Sequence, residues 1–353
     1  MLAYDAFEVC FGLLSLFFQD AADADFVGAD QSPGVDTGAK ATRRSIDDLT
    51  IAVVVPCYNE EVTVAKVIAD FKAALPTCTV HVYDNNSTDK TAEVAREAGA
   101  IVRHERQQGK GNVVRRMFAN VSADVYVMVD GDATYDASAA PALIETLIAG
   151  EHDMIVGARR HENAAAYRMG HQFGNRALTG LVATIFRTDL DDMLSGYRVM
   201  SRRFVKSFPA LSSGFEIETE LTVHALEIGA SIEEVPTHYS ERPPGSQSKL
   251  HSIRDGIRIV RIIGRLVRDE RPMEFFGLCA GVLALASVVL GLPVVLEYFE
   301  TGLVLRQPTW IAAVTLLGGA FLSFACGLIL DGVARSRQET RRLTYLGLDP
   351  CPN

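Results

Sequence analysis

Residues 125–136, VYVMVDGDATYD, decide how this chain is read. Val125 to Val129 is an uncharged run of strand-forming residues, the pattern of a strand buried on both faces. It stops at Asp130-Gly131-Asp132, which sets two carboxylates one residue apart at the strand end. Paired anions there repel each other and are costly to desolvate unless a cation lies between them. A DGD turn that merely caps the strand is the plain alternative, and the flanking sequence must decide.

Working outward from that stretch, strand and helix patterns alternate from residue 51. IAVVVP reads as a buried strand, and EEVTVAKVIADFKAAL sets Ala65, Ile68, Phe71 and Leu75 at helical spacing. TVHVYD is a second strand, followed by STDKTAEVAREAG, a helix capped by Ser87 or Thr88 and stopped at Gly99. AIVRH, GNVVRRMFANV and DVYVMVD continue as strand, helix and strand, and SAAPALIETLIAG and DMIVGAR add one more pair. This alternation predicts an α/β fold with a mostly parallel sheet and helices on both faces. Ligands of such sheets bind beyond the carboxyl ends of the strands. The polar clusters fall there: Pro56 to Glu61, Asp84 to Asp89, and Asp130 to Asp132. No G-x-G-x-x-G and no G-x-x-x-x-G-K-[ST] follows the first strand, which argues against a dinucleotide oxidoreductase and a P-loop enzyme.

The chain has 353 residues, enough for one sizeable domain with additions. A formal net charge of −10 argues against a nucleic-acid surface as its main business. Residues 1–50 hold nine Asp/Glu against three Lys/Arg, and residues 1–48 read as an N-terminal tail with a flexible acidic linker. Within it FEVCFGLLSLFF is only 12 residues long, contains Glu8 and lacks a basic leader, so no signal peptide is expected. The six cysteines are scattered without paired spacing, as ordinary thiols in a reducing compartment are.

Two uncharged runs dominate the C-terminal part: FFGLCAGVLALASVVLGLPVVL (275–296) and WIAAVTLLGGAFLSFACGLIL (310–330). Each matches the roughly 20 residues that span a bilayer, with buried core helices as the alternative. Arg265, Arg268 and Arg271 precede the first run, and Arg335, Arg337, Arg341 and Arg342 follow the second. The link between them carries Glu297, Glu300 and Arg306, so the positive-inside rule puts both ends of this hairpin in the cytoplasm. Just upstream, Ile253, Ile257, Val260, Ile263 and Val267 form an apolar stripe at helical spacing, flanked by Arg254, Arg258, Arg261, Arg265 and Arg268. That pattern suits an interfacial helix on anionic lipid, or an amphipathic helix packed on the catalytic domain. The expected organisation is a tail (1–48), an α/β domain (49–249), a juxtamembrane helix (250–272), two membrane helices (273–332) and a basic cytoplasmic tail (333–353).

In order along the chain, VVVPCYNEE, DNNSTDKT, GKGNVVRR, VDGDATYD, LSGYRVMSR and RPPGSQSKL resemble the motifs of family 2 glycosyltransferases. More narrowly they are similar to polyprenyl-phosphate sugar synthases of the dolichol-phosphate mannose synthase type, over about residues 50–270. The resemblance implies a GT-A type, Rossmann-like sheet ahead of the juxtamembrane helix and membrane hairpin. It implies that Asp130 and Asp132 hold Mg²⁺ or Mn²⁺ on the diphosphate of a nucleotide sugar. Hard divalent cations favour such oxygen ligands and keep positions open for phosphate. Pro56, Tyr58, Glu60, Asp84 and Asn86 correspond to the nucleotide pocket, with Asp84 placed for the base or ribose. Asx residues also favour turns, and an acid such as Glu60 suits a first helical turn. Lys110 stands in a glycine-flanked loop at a helix start, a setting that suits the diphosphate; Arg115 and Arg116 fit a solvated helix face equally well.

On the acceptor side the resemblance points to Arg198 for the acceptor phosphate, with Arg202 second, and to Arg242, Ser246, Ser248 and Lys249 near the headgroup. Structural salt bridges and a polar linker are the alternatives. Glu218 is a further catalytic candidate, although an ionised phosphate acceptor needs no base. The implied activity is inverting transfer of one hexose from a UDP- or GDP-sugar to polyprenyl phosphate at the cytoplasmic face of the inner membrane. The alternative is a membrane-anchored family 2 transferase with a saccharide or protein-linked acceptor. A homo-oligomer and a separate flippase are further expectations, since two helices are few for moving the product across. A processive synthase would carry Q-x-x-R-W, whereas the single tryptophan is Trp310 in a membrane run. A nucleotidyltransferase would carry a Gly-rich basic loop where Pro56-Cys57-Tyr58-Asn59 stands, and a non-catalytic adaptor would have lost Asp130, Asp132 or Arg198.

Overall fold

A computed structural model describes residues 46–160, 190, 192–212, 214, 216–240, 242, 268–269 and 271–349. The N-terminal tail to residue 45, Ser246, Ser248, Lys249 and the predicted juxtamembrane stripe from Ile253 to Val267 lie outside these described residues. Seven strands form one sheet: β1 (Ile51–Cys57), β2 (Thr79–Asp84), β3 (Ile101–His104), β4 (Val125–Met128), β5 (Met154–Arg160), β6 (Arg198–Ser201) and β7 (Ile232–His238). Their order is β3-β2-β1-β4-β6-β5-β7, and only β6 among them runs antiparallel to its neighbours.

Helices α1 (Val64–Ala74), α2 (Thr91–Glu97), α3 (Lys110–Asn120), α4 (Ala140–Ala149), α5 (Arg202–Ser207) and α6 (Ile217–Ile228) cover the sheet. Successive side chains of a strand point to opposite faces, so one buried strand feeds two cores. Val53, Val55 and Val127 pack with Ile68 and Phe71 of α1 and Leu143 and Ile144 of α4. Val54, Tyr126 and Met128 pack on the other face with Met117 and Phe118 of α3 and Phe204 and Leu221 of α5 and α6. Burying each such side chain contributes about 1.5–3 kcal/mol, which is why the charge-free strands read so clearly from sequence.

Two local expectations change. Neither Ser87 nor Thr88 caps α2; the Asp89 carboxylate accepts the Thr91 N–H at 3.0 Å instead. Ser87 Oγ accepts the Asn59 N–H (2.9 Å) and the Thr88 N–H donates to Asn59 Oδ1 (2.8 Å), so the loops after β1 and β2 are laced together. Of the segment LSGYRVMSR, expected on the acceptor side, Arg198–Ser201 form β6 in the middle of the sheet, where the Ser201 hydroxyl caps α5 by accepting the Phe204 N–H at 3.2 Å.

Helices α7 (Pro272–Thr301) and α8 (Gln307–Leu346) form an antiparallel pair. Ser287 Oγ donates to the Ala313 carbonyl (2.7 Å), Ser323 Oγ to the Phe276 carbonyl (3.1 Å), and Arg337 Nη2 to the Asp269 carbonyl (2.7 Å). Their outer faces expose Leu278, Val282, Leu285, Phe321 and Ile329. Both helices are long and apolar enough to cross a membrane. Helix α8 does not end with its apolar run; it continues through the charged residues to Leu346, where a tail was expected.

Candidate active site

The carboxyl ends of β1, β2 and β4 meet at one edge of the sheet, as their in-register pairing requires. After β1 the chain turns at Asn59 in the left-handed region (φ 53°), and the Glu60 N–H donates to Thr91 Oγ1 at 2.8 Å. Glu60 is buried, and the neighbouring Thr63 hydroxyl donates to the Gly131 carbonyl at 2.7 Å, which seats this turn against the β4 exit. Pro56 and Tyr58 are half-buried on the same turn, Pro56 in register with Tyr83 of β2.

After β2, Asp84 and Asn85 are both buried. Asn85 holds the β3–α3 loop: its Nδ2 donates to the Glu105 and Gln107 carbonyls (3.0 and 2.8 Å) and its Oδ1 accepts the Gly109 N–H (2.7 Å). Gly109 can take that place because its φ is 129°, which side-chain-bearing residues avoid. Asn86 (φ 63°) donates to the Arg106 carbonyl at 2.9 Å. One Asp84 oxygen lies 3.1 Å from His104 Nδ1; the other, Oδ1, is buried with no hydrogen-bond partner. A buried acceptor left unmatched is rare in native proteins and marks a place for an incoming donor.

The β4 exit holds the two carboxylates. Lys110, the first residue of α3, brings its Nζ to 2.5 Å from both Asp130 Oδ1 and Glu218 Oε1, the latter in the first turn of α6. Burial works against the Lys110 charge, but Asp130 and Glu218 outweigh it and hold the ammonium well above its ordinary range. Lys110 was expected on a diphosphate; the structure instead commits its charge to two carboxylates. Asp132 Oδ2 pairs with Arg242 Nη2 at 2.6 Å, and Asp132 Oδ1 accepts the Thr134 hydroxyl at 2.6 Å. Burial, and next the Asp130 charge, push the Asp132 carboxyl up. Arg242, expected near an acceptor headgroup, thus lies on a carboxylate of this pair.

A further layer holds these groups. The Tyr135 hydroxyl accepts the Gly196 N–H at 2.8 Å, and Tyr135 stacks edge-on against Tyr239, with ring centroids 5.1 Å apart. The Ser240 N–H donates to the Thr134 carbonyl at 2.9 Å, so the chain leaving β7 is tied to the loop leaving β4, two residues before Arg242. At the β5 end, Arg159 grips Asp192 with two hydrogen bonds of 2.7 Å, holding that carboxyl below its usual range against the opposing effect of burial.

Two acceptor-side expectations need correction. Arg198 is fully buried, and its donors go to the backbone carbonyls of Ser195 (3.1 Å), Met193 (2.6 Å) and Glu218 (3.0 Å). Burial lowers its pKa to about 10. It pins the chain entering β6 to the start of α6 and presents no guanidinium to an acceptor. Arg202 follows Ser201, which pairs with Val125 at the amino end of β4, so it lies at the opposite edge of the sheet from Asp130 and Asp132.

The donor set fits a hard divalent cation. The two carboxylates sit side by side at the strand end, where their charge is met here by Lys110 and Arg242, with which a bound divalent cation would share them. Among the described residues no cluster of three or more His, Cys, Asp or Glu could hold a metal ion by itself, so a divalent cation here would need oxygen ligands from elsewhere, such as substrate phosphate.

A model described as Glycosyl transferase family 2 matches residues 52–208. Over 304 residues the chain is 33% identical to glycosyltransferase AglJ of Haloferax volcanii, covering 84% of this chain and 98% of that protein. It is 29% identical over 230 residues to a dolichyl-phosphate hexose transferase of the same organism, covering 65% of this chain and 98% of that one. A glucosyl-3-phosphoglycerate synthase from Mycobacterium tuberculosis, solved in complex with Mn²⁺, UDP and phosphoglyceric acid, shares the fold with a TM-score of 0.51 at 21% identity, covering 68% of this chain and 84% of that one. A relative one-third identical along nearly its whole length and a sheet built like that of its structural neighbour agree: this chain belongs to glycosyltransferase family 2.

Proposed function

We propose that the protein transfers a single hexose from a UDP- or GDP-sugar to polyprenyl phosphate at the cytoplasmic face of the inner membrane. The observation that carries this reading is the Asp130–Asp132 pair at the β4 exit, with each carboxylate matched by its own cation. The unmatched, buried Asp84 Oδ1 at the neighbouring β2 end suits a donor N–H or O–H from a nucleoside, while Pro56, Tyr58, Glu60 and Asn86 shape the turn beside it. Asp130 and Asp132 are the residues that would hold Mg²⁺ or Mn²⁺, in keeping with the Mn²⁺ and UDP found with the structurally similar synthase. A divalent cation there supplies charge neutralisation for the departing nucleoside diphosphate.

The chain's own residues do the rest. Lys110 keeps Asp130 and Glu218 together in spite of their like charge, so Glu218 acts as its counter-ion and no residue is required as base. An ionised phosphate oxygen of the acceptor attacks the anomeric carbon. The bond from that carbon to the diphosphate oxygen breaks, and its electron pair leaves with the nucleoside diphosphate. We assign Arg242, which pairs with Asp132, to the acceptor phosphate, together with Ser248 and Lys249 from the sequence that follows it. Two observations support a lipid acceptor: the apolar α7–α8 pair, and the dolichyl-phosphate relative. The arginines at both hairpin ends support the cytoplasmic side.

The test is a donor screen on membranes holding the protein, with undecaprenyl or dolichyl phosphate, with and without EDTA. Label in the organic phase from one donor, abolished by EDTA and by Asp132→Asn, is the expected result. Label appearing only in polymer or protein would reassign the acceptor.

A further inference from the structure

Helix α8 has two halves of different chemistry. Residues 310–330 carry no charge, whereas residues 331–346 hold Asp331, Arg335, Arg337, Glu339, Arg341 and Arg342. The helix is unbroken across the change, so this second half projects about 24 Å beyond the apolar run at about 1.5 Å per residue.

The projecting half is docked, not solvated all round. Tyr345 is buried among the residues of the second core, and its hydroxyl donates to Asp153 Oδ2 at 2.6 Å. The Arg203 guanidinium lies 4.2 Å over the same ring. Asp153, itself buried, also accepts the Ser201 hydroxyl (3.2 Å), Arg203 Nη2 (3.3 Å) and the Ser231 N–H (3.2 Å), so it joins β5, β6 and β7 to the helix. One turn earlier, Arg341 pairs with Glu227, a buried carboxylate at the C-terminal end of α6, and Gln338 Nε2 donates to the Glu227 carbonyl at 2.9 Å. Two buried carboxylates of the catalytic domain therefore take partners from a helix that begins in the apolar hairpin. Buried carboxylates are costly without such partners, which makes this a built interface.

We propose that residues 331–346 form a rigid strut that fixes the orientation of the catalytic domain on its apolar hairpin, with Glu227 and Asp153 as its two receptors. The strut docks at the amino-end edge of the sheet, through Asp153 ahead of β5 and Ser201 at the end of β6, so the carboxyl-end edge with Asp130 and Asp132 stays clear of it. Helix α6 spans both regions, with Glu218 in its first turn beside Lys110 and Glu227 in its last turn beside Arg341. An orientation held in this way matters for an acceptor confined to a membrane and not for a soluble donor. That kinetic consequence rests on the proposed lipid acceptor; the orientation itself does not.

The test uses the full chain in lipid nanodiscs. Spin labels at exposed positions 145 and 303, in a background without reactive cysteines, report the distance between catalytic domain and hairpin loop. Inserting Gly-Gly between Arg335 and Ser336 leaves Gln338, Arg341 and Tyr345 available to dock but severs the rigid connection. The expected result is a markedly broadened distance distribution, an unchanged melting temperature and unchanged nucleotide affinity. With lipid acceptor, KM rises severalfold. An insertion variant with the narrow distribution of the wild type would overturn the strut and leave this half-helix as core filling alone. If the insertion prevents folding, Arg341→Gln with Tyr345→Phe gives the same readout, and a narrow distribution there overturns the proposal equally. A broadened distribution in a protein that uses no lipid acceptor would keep the strut and defeat the functional reading.

Discussion

Gly196 lies so close against Asp130 that a Cβ built on it would come within 2.6 Å of Asp130 Oδ2. The contact is held from the other side, since the Gly196 N–H is bound by the Tyr135 hydroxyl at 2.8 Å. No side chain fits there without moving the carboxylate. Gly196→Ala should therefore displace Asp130 rather than the sheet, and a displacement of that order costs about a hundredfold in rate at a well-positioned site. Turnover should fall by that order with little change in melting temperature. A variant with normal turnover would show that Asp130 need not hold this position.

Lys110 forms a salt bridge with Glu218 and is one of two groups pressed on Asp130. Lys110→Met leaves two carboxylates facing each other in a closed space, and removing one partner of a buried pair costs roughly 3–5 kcal/mol. Lys110→Met with Glu218→Gln removes one of the stranded charges and should recover part of that loss. Urea unfolding of these two variants and of Glu218→Gln alone measures the coupling, and additive losses would mean the contact carries no energy.

Much of this site could be read from the sequence, for identifiable reasons. The strands β1 and β4 are uncharged because both faces are buried, so their ends, and the polar residues just beyond them, stand out. What stayed hidden depends on partners distant in the chain. The Lys110 partner Glu218 is on another helix, and nothing local to GKGNVVRR announces it. The resemblance alone assigns Arg198 to an acceptor phosphate; three backbone carbonyls brought together only by the fold make its burial tolerable. The charged end of α8 read as a tail because its single buried anchor, Tyr345, finds its place only against Asp153 and Arg203.

Asp84 offers a sharper test of the nucleotide pocket. Its Oδ1 is buried and unmatched, so replacing it with an amide removes an acceptor without breaking any hydrogen bond to that atom within the protein. Asp84→Asn should raise the donor KM about tenfold, equivalent to about 1.4 kcal/mol, with kcat nearly unchanged. Stability should hold, as measured by thermal melting. A fall in kcat at constant KM would place Asp84 in the chemistry and not in nucleotide binding.

His224 makes a prediction about pH. It is buried between the Phe204 and Phe208 rings, its Nδ1 has no hydrogen-bond partner, and its pKa is lowered to about 4, by burial first and then by Arg341. In the unfolded chain the imidazole takes a proton near its ordinary value of about 6.5. Between about pH 6.5 and pH 4 the unfolded state therefore binds more protons than the folded one, and stability must fall as pH falls through that window. The full separation corresponds to about 3 kcal/mol at most, from about 1.4 kcal/mol per pH unit. His224→Phe keeps a ring against Phe204 and Phe208 but cannot take the proton. The difference in unfolding free energy between wild type and variant should shift by up to that amount from pH 7 to pH 4.5, with the wild type losing more. Carboxylates that titrate in the same range affect both proteins alike and cancel in the comparison. Parallel curves would mean that the folded protein accommodates the His224 proton, and hence that this part of α6 opens to water beside the α8 strut.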